Sequence, residues 1–109
     1  MRSLEVSLTF VSEQKMAILN NKYRGKNAPT DVLSFPLWTK KELKKLIHSQ
    51  ANGDNAILLG DIVISPGTAL KKAKSGWYTD VIKGKQNRQN VLDFLIEHGV
   101  LHLLGHHHK

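Results

Sequence analysis

The residues with the clearest capacity for chemistry are histidines, and five of the six in the chain lie between residues 98 and 108. His98 and His102 are four residues apart, so on a helix their imidazoles lie one above the other on the same face. Gly105 can adopt the left-handed conformation that ends a helix, which would let His108 approach this pair from the side. Three converging neutral imidazoles predict a metal site whose fourth tetrahedral position is open.

Two other interpretations of these histidines stay open. A single histidine on an apolar helix is usually a core residue with a hydrogen-bond partner, although two at this spacing would each need one. The last three histidines, His106 to His108, are also what a purification tag would leave behind. Within the metal-site hypothesis, His107 is an alternative to His108 as a ligand, and His106 is structural or lines the cleft.

The spacing H-x3-H-x2-G-x2-H is also that of the extended zinc-protease motif. In those proteases the residue after the first histidine is the glutamate that acts as general base, whereas here it is Gly99. Because glycine cannot accept a proton, the sequence predicts a metal-dependent hydrolase that keeps the ligand geometry of the motif but not its peptidase chemistry.

Three blocks of the sequence resemble the YbeY family of bacterial endoribonucleases. The histidine block, residues 98–108, is similar to the family signature H-G-x-L-H-L-x-G-[YH]-D-H. Upstream, residues 19–36 resemble the block LNxxYRxK…T[ND]VLSFP, and residues 59–65 resemble the strand LGDIxIS. The three blocks occur in the family's order, so the chain is identified as a member by resemblance.

The chain departs from the family pattern in two respects. His107 stands where the signature has an aspartate, which removes a carboxylate that would support a ligating histidine. The chain also ends at Lys109, where relatives continue with an acidic segment, and the family's first strand and helix have no counterpart. We therefore expect one domain, residues 1–109, that is shorter than its relatives at both ends.

The resemblance implies a single-strand-specific endoribonuclease that matures small-subunit ribosomal RNA and takes part in ribosome quality control, with the small subunit and an associated GTPase as partners. It implies metal ligation by His98, His102 and His108. Arg24 matches the family's functional arginine, and a planar guanidinium can hold two phosphate oxygens at once; alternatively, it only meets the dipole at a helix end. Asp61 is either an acceptor for a ligating histidine or a cap for the local backbone.

The expected cofactor is one divalent metal ion. Imidazole ligands favour zinc, although they also accept nickel and copper. Zinc held by three histidines lowers the pKa of a bound water toward roughly 7, and either that water or a ribose hydroxyl would attack phosphorus. Two rival functions remain: a ribosome-associated RNA-binding protein whose metal only stabilises a small fold, and a different metal-dependent hydrolase.

Composition limits the setting and the partners. Hydrophobic residues make up 40% of the chain and there is no cysteine, which excludes disulfides and thiolate metal sites. No apolar run is long enough to cross a membrane, and no signal region precedes the first strand, so we expect a cytoplasmic protein without a membrane partner. A net charge of +7 and a pI near 9.8 favour a polyanionic partner, nucleic acid first and anionic lipid second.

A basic region covers residues 71–88, with six basic residues and one acidic residue. Its candidate RNA contacts are Lys71, Lys72, Lys74 and Arg88. Trp77 lies among these cations and would either stack on single-stranded bases or pack on the core, and the sequence slightly favours core packing.

Periodicity and capping signals predict an α+β fold with a small mixed sheet of three to four strands and packed helices. The metal-binding histidines are expected at the end of the C-terminal helix in a zincin-like local motif. Asn90 is the expected N-cap of that helix. The predicted elements are strands at 5–11, 32–35 and 56–64, helices at 12–23, 40–48, 65–76 and from 90 onward, and a hairpin turn at 52–55.

Overall fold

The computed structural model describes residues 3–49 and 56–105 of the chain. Within these ranges no helix is both long and apolar enough to span a bilayer. The elements, in chain order, are β1 (Leu4–Phe10), α1 (Glu13–Arg24), β2 (Val32–Pro36), α2 (Lys40–His48), β3 (Ile57–Ile64), α3 (Pro66–Lys74) and α4 (Arg88–Leu103).

The three strands form one mixed sheet in the order β1-β3-β2. β3 pairs in parallel with β1 and antiparallel with β2. The prediction of an α+β fold with a small mixed sheet and packed helices is confirmed. So is the central place of the third strand, whose nearly continuous apolar sequence suits a strand with neighbours on both sides. The predicted hairpin turn at 52–55 lies outside the described residues.

A β-bulge interrupts the pairing of β1 with β3. Glu5 pairs with Leu58 but Ser7 pairs with Asp61, so β3 carries one residue more than β1 at this point. Gly60 lies in the bulge with φ +151°, and a Cβ there would collide with the carbonyl oxygen of Phe35. Only glycine suits this backbone conformation and this close approach.

Local capping interactions start the first two helices where the sequence predicted. The Ser12 side chain accepts a hydrogen bond from the backbone N–H of Lys15 at 3.1 Å. Thr39 and Glu42 form a complete capping box, in which each side chain accepts a hydrogen bond from the other residue's backbone N–H. These bonds satisfy donors that a helix start would otherwise leave without partners.

The prediction that Asn90 caps α4 is wrong by one turn. Asn87 is the N-cap, and its side-chain oxygen accepts the backbone N–H of Asn90 at 2.8 Å. Asn90 instead lies in the first turn and its side chain donates to the carbonyl of Lys85 at 2.9 Å. Both asparagines are good caps by residue type, and the loop before the helix decides between them.

The core is built from β3, α3, α4 and the loop between the two helices, with one residue from α2. α4 approaches the sheet closely at Gly99, where an added Cβ would lie 3.0 Å from two side-chain carbons of Ile62. After the helix, Gly105 has φ +93°, the left-handed conformation that the sequence predicted. The core cluster consists of Leu43, Ile57, Leu59, Ile62, Ile64, Ala69, Ala73, Tyr78, Ile82, Val91, Leu95 and Leu103.

Candidate functional site

An open cleft of about 380 Å³ lies where α4 meets β2 and the end of α1. The structure brings Arg24 to the same cleft as His98 and His102, which lie more than seventy residues further along the chain. We call it the histidine cleft. It is lined by Arg24, Thr30, Asp31, Val32, Leu33, Ser34, His98 and His102.

His98 and His102 point their Nε2 atoms at each other in the last turns of α4. The Nε2 atoms are 3.1 Å apart, and the rings meet edge to face at 61°. Two nitrogens on one tetrahedral zinc ion lie roughly 3.3 Å apart, given zinc–nitrogen bonds of about 2.0–2.1 Å. The pair therefore fits two ligands of one ion.

The chemistry of the pair also fits a cation. Two neutral imidazoles that both direct a nitrogen lone pair into the same space repel each other unless a proton or a metal ion lies between them. The His98 ring is oriented further by stacking on Phe94, with ring centroids 5.8 Å apart. The His98 imidazole is thus held toward the histidine cleft.

The third predicted ligand, His108, lies outside the described residues, together with His106 and His107. In residues 3–49 and 56–105 there is no group of three or more histidine, cysteine or acidic side chains that could hold a metal ion. The described part of the chain contains two of the three predicted ligands, so the three-histidine set stays a prediction.

Arg24 is placed at the cleft by the way α1 ends. It is the last residue of the helix, and Gly25 follows it in the left-handed conformation with φ +70°. The buried side chain of Asn20 donates to the carbonyl of Ala28 at 2.8 Å. This bond ties the following loop back to α1, and the helix end and loop together hold Arg24 in the wall of the cleft that His98 and His102 also line.

Asp31 is a cleft residue that reasoning from the sequence did not select. Its Oδ1 accepts the backbone N–H of Val32 at 2.9 Å, and its Oδ2 accepts the hydroxyl of Tyr78 at 2.6 Å. The Lys72 Nζ lies 3.6 Å from Oδ1. Burial, and then this carboxylate, raise the pKa of Tyr78 above its ordinary value of 10.0. The only signal for Asp31 was its place in the block of residues 19–36.

The predicted RNA-binding cations do not line the histidine cleft. Lys71 forms a 2.7 Å ion pair with Glu13, and Lys72 lies against Asp31. Lys74 and Arg88 are exposed, at the end of α3 and the start of α4. Two of the four predicted contacts therefore already face acidic side chains of the protein itself.

The preference for Trp77 as a core residue is wrong. Trp77 is 67% exposed, whereas its neighbour Tyr78 is only 2% exposed and belongs to the core. Gly76, with φ +78°, turns the chain just before this pair. The turn decides which of two adjacent aromatic side chains enters the core, and the sequence alone carries no signal for that choice.

Asp61 does not line the cleft that His98 and His102 share. It is exposed on β3, paired with Phe35, and lines a separate cleft together with Lys15 and Tyr23. Because none of the residues lining the histidine cleft is Asp61, the structure gives no support to its proposed role as an acceptor for a ligating histidine.

Gly99 shows why a protease base has no place here. The glycine is buried, and an added Cβ would press on the Ile62 side chain at 3.0 Å. A side chain following His98 would therefore enter the contact between α4 and the sheet rather than the cleft. Glycine in place of the protease glutamate is therefore required by helix packing, and it also removes the general base.

Comparisons with known proteins agree on one family. The family model described as Endoribonuclease YbeY matches residues 1–109. The chain is 44% identical over 104 residues to the Endoribonuclease YbeY of Moorella thermoacetica, covering 95% of this chain and 60% of the relative. It is 37% identical over 106 residues to that of Thermodesulfovibrio yellowstonii, covering 97% of this chain and 55% of the relative.

A solved structure has a similar fold. It is the solution structure of a Thermotoga maritima protein, with a TM-score of 0.53 and 27% sequence identity, and the match covers 98% of this chain and 55% of that one. The chain thus spans little more than half the length of the relatives it matches.

Proposed function

The chain belongs to the Endoribonuclease YbeY family, and from this premise we propose that it is a metal-dependent endoribonuclease specific for single-stranded RNA. The observation that carries the proposal is the meeting of Arg24 with His98 and His102 in one cleft. The proposed substrate is ribosomal RNA, in small-subunit maturation and ribosome quality control. The small subunit and an associated GTPase are the proposed partners, and the cytoplasm is the proposed location.

The proposed cofactor is one zinc ion held by His98, His102 and His108. The 3.1 Å separation of the two described Nε2 atoms supports the first two ligands. When bound, such an ion polarises phosphoryl oxygens and lowers the pKa of water, which supplies a nucleophile near neutral pH.

The described residues have separate roles in this proposal. The Arg24 guanidinium binds nonbridging phosphate oxygens and offsets the negative charge that develops on them in the transition state. Ser34 also lines the cleft and its hydroxyl would donate to the same phosphate, whereas the Thr30 hydroxyl already donates to Asp31 Oδ1 at 3.3 Å. Phe94 stacks on His98 and holds its ring in the orientation that directs Nε2 inward.

The shape of the cleft supports a single-stranded substrate. With a volume of about 380 Å³, it accommodates one segment of sugar and phosphate rather than a double helix. A single strand can turn its backbone into such a recess, whereas a rigid A-form duplex presents its phosphates only along its outer surface.

The test compares cleavage of one labelled RNA, derived from a small-subunit precursor, as a single strand and as a duplex. We expect wild-type protein depleted of metal to be inactive, and to cut the single strand but not the duplex once zinc is restored. His98→Ala should not recover with zinc. The rival RNA-binding module would instead bind both RNAs without cutting either, and that result would overturn the proposal.

A further inference from the structure

We propose that Trp77 forms a subsite that stacks on a nucleobase next to the phosphate held in the histidine cleft. The inference deepens the proposed function and rests on it, because it assigns a position to one base of the RNA. It starts from an exposed tryptophan beside a small cavity that reaches His98.

Trp77 is a large aromatic surface held at a fixed place. The residue is 67% exposed while the adjacent Tyr78 is 2% exposed, so the anchor is buried and the indole is accessible. The Tyr78 hydroxyl donates to Asp31 at 2.6 Å, and the Trp77 backbone N–H donates to the carbonyl of Lys72 at 3.0 Å. The Lys72 ammonium also lies over the indole, with Nζ 4.7 Å from the ring centre, so the ring is partly ordered before a ligand arrives, which reduces the entropic cost of binding.

A cavity of about 250 Å³ connects this tryptophan to His98. Trp77 and His98 both line it, together with apolar side chains such as Val81 and Phe94. His98 also lines the histidine cleft, so the two spaces share one wall. The cavity is smaller than the roughly 300–1,000 Å³ of drug-sized sites and suits a single planar ring system.

Charge next to the indole favours a nucleotide over an apolar peptide side chain. The Lys72 Nζ lies 4.7 Å from the centre of the Trp77 ring and 3.6 Å from Asp31 Oδ1. A base stacked on an aromatic ring beside a cation is the usual arrangement of single-strand sites, and here the cation over the ring is itself paired with Asp31, so it orders the indole rather than contacting phosphate. With one phosphate bound by Arg24, a base of the same strand is the nearest group that can reach Trp77.

The experiment measures binding and cleavage with three variants. Trp77→Ala removes the stacking surface, Trp77→Phe keeps an aromatic ring, and Phe10→Ala is the control, an exposed aromatic residue on β1 that is 53% exposed and lies outside both cavities. Binding is followed by anisotropy with metal-free protein and a single-stranded DNA of the substrate sequence. Cleavage uses the RNA with an abasic nucleotide placed at each position in turn.

We expect Trp77→Ala to weaken oligonucleotide binding roughly 5- to 100-fold and to raise KM while leaving kcat within about threefold. Trp77→Phe should lose much less, and Phe10→Ala nothing measurable. For the wild type, an abasic nucleotide at one position of the RNA should raise KM as much as Trp77→Ala does. For Trp77→Ala, the same abasic RNA should raise KM no further, because the base and the indole interact as one pair.

Equal behaviour of Trp77→Ala and Phe10→Ala would overturn the subsite. So would abasic losses that are the same in the wild type and the variant. The binding assay needs no catalysis, so its outcome is separate from that of the proposed function. Stacking on Trp77 without any RNA cleavage would support the subsite and refute the proposed enzyme activity. RNA cleavage without stacking on Trp77 would support the activity and refute the subsite.

Discussion

Two cationic regions of the molecule have opposite relations to its acidic side chains. Lys71 and Lys72 on α3 lie against Glu13 and Asp31, so part of their charge serves the protein's own structure. Arg24 forms no ion pair among the described residues and instead lines the histidine cleft. A count of positive residues therefore cannot separate a cation that lines an open cleft from one that neutralises a neighbouring carboxylate.

The largest difference should appear between Arg24→Ala and Lys71→Ala. Loss of a group that stabilises developing charge costs about 100- to 1,000-fold in kcat, so Arg24→Ala should lose that much in single-turnover cleavage of single-stranded RNA. Lys71→Ala should stay within about threefold. Circular dichroism checks that both variants keep the fold, and similar rates for the two would remove the distinction between the regions.

Tyr78→Phe tests whether the hydrogen bond to Asp31, which lies between the two regions, stabilises the fold. The change removes a buried donor to a carboxylate, and such a bond contributes about 1.5–3 kcal/mol. We expect the free energy of unfolding, measured by urea denaturation, to fall by that amount. The control Tyr23→Phe affects an exposed tyrosine and should stay within about 0.5 kcal/mol; a Tyr78→Phe variant as stable as this control would show that the bond is unimportant.

The same tyrosine should make the protein sensitive to alkali. Because the folded state raises the pKa of Tyr78 above 10.0, the unfolded chain releases this proton first as pH increases. The stability due to Tyr78 is complete below about pH 10 and declines above it. Urea denaturation between pH 9 and 11 should therefore show a steeper loss for the wild type than for Tyr78→Phe, and parallel curves would count against the raised pKa.

Neutralising the basic region should reduce RNA binding less than Arg24→Ala reduces RNA cleavage. Replacement of Lys71, Lys72, Lys74 and Arg88 by alanine would lower the salt slope of single-strand binding by about 2.8 if all four residues contacted phosphates. With two of them paired internally, we expect a reduction of roughly 1.4. Affinity measured at a series of salt concentrations distinguishes the two values. A decrease of the salt slope near 2.8 would mean that the ion pairs open to bind RNA.

The smallest expected effect is that of Glu13→Gln in acid. A hydrogen bond from Lys71 lowers the pKa of Glu13 below 4.5, so the ionised carboxylate stabilises the fold above that pH and its contribution is lost as the pH falls through the lowered value. Glu13→Gln should flatten the decline of stability between pH 5 and 3 slightly, with the exposed Glu5→Gln as the charge control. Identical acid profiles for the two variants would contradict a role for the Glu13–Lys71 pair.

Features that depend on neighbouring residues were predictable from the sequence. Ser12 and Thr39 start helices through bonds to residues three positions away, and the apolar sequence of β3 indicated its central place. Features decided by tertiary contacts were not predictable. Asn87 rather than Asn90 caps α4, and Tyr78 rather than Trp77 enters the core, because loops whose geometry leaves no periodic pattern set both choices.

In the candidate site, too, locally determined features were predictable and those that depend on tertiary contacts were not. The four-residue spacing of His98 and His102 predicts that they share a helix face, since the helix itself fixes that geometry. Arg24 joined the site only through the family resemblance, because its approach depends on the packing of α1. Asp31 escaped notice because its importance comes from Tyr78 and Lys72, more than forty residues away in the chain.

Elemental analysis of untagged protein decides whether the α4 histidines hold a metal ion. Wild type, His102→Ala and the control His48→Ala, which alters an exposed histidine of α2, would be purified side by side. We expect about one zinc ion per chain in the wild type and in His48→Ala, and none in His102→Ala. Wild-type protein without metal, or His102→Ala with as much metal as the wild type, would contradict this expectation.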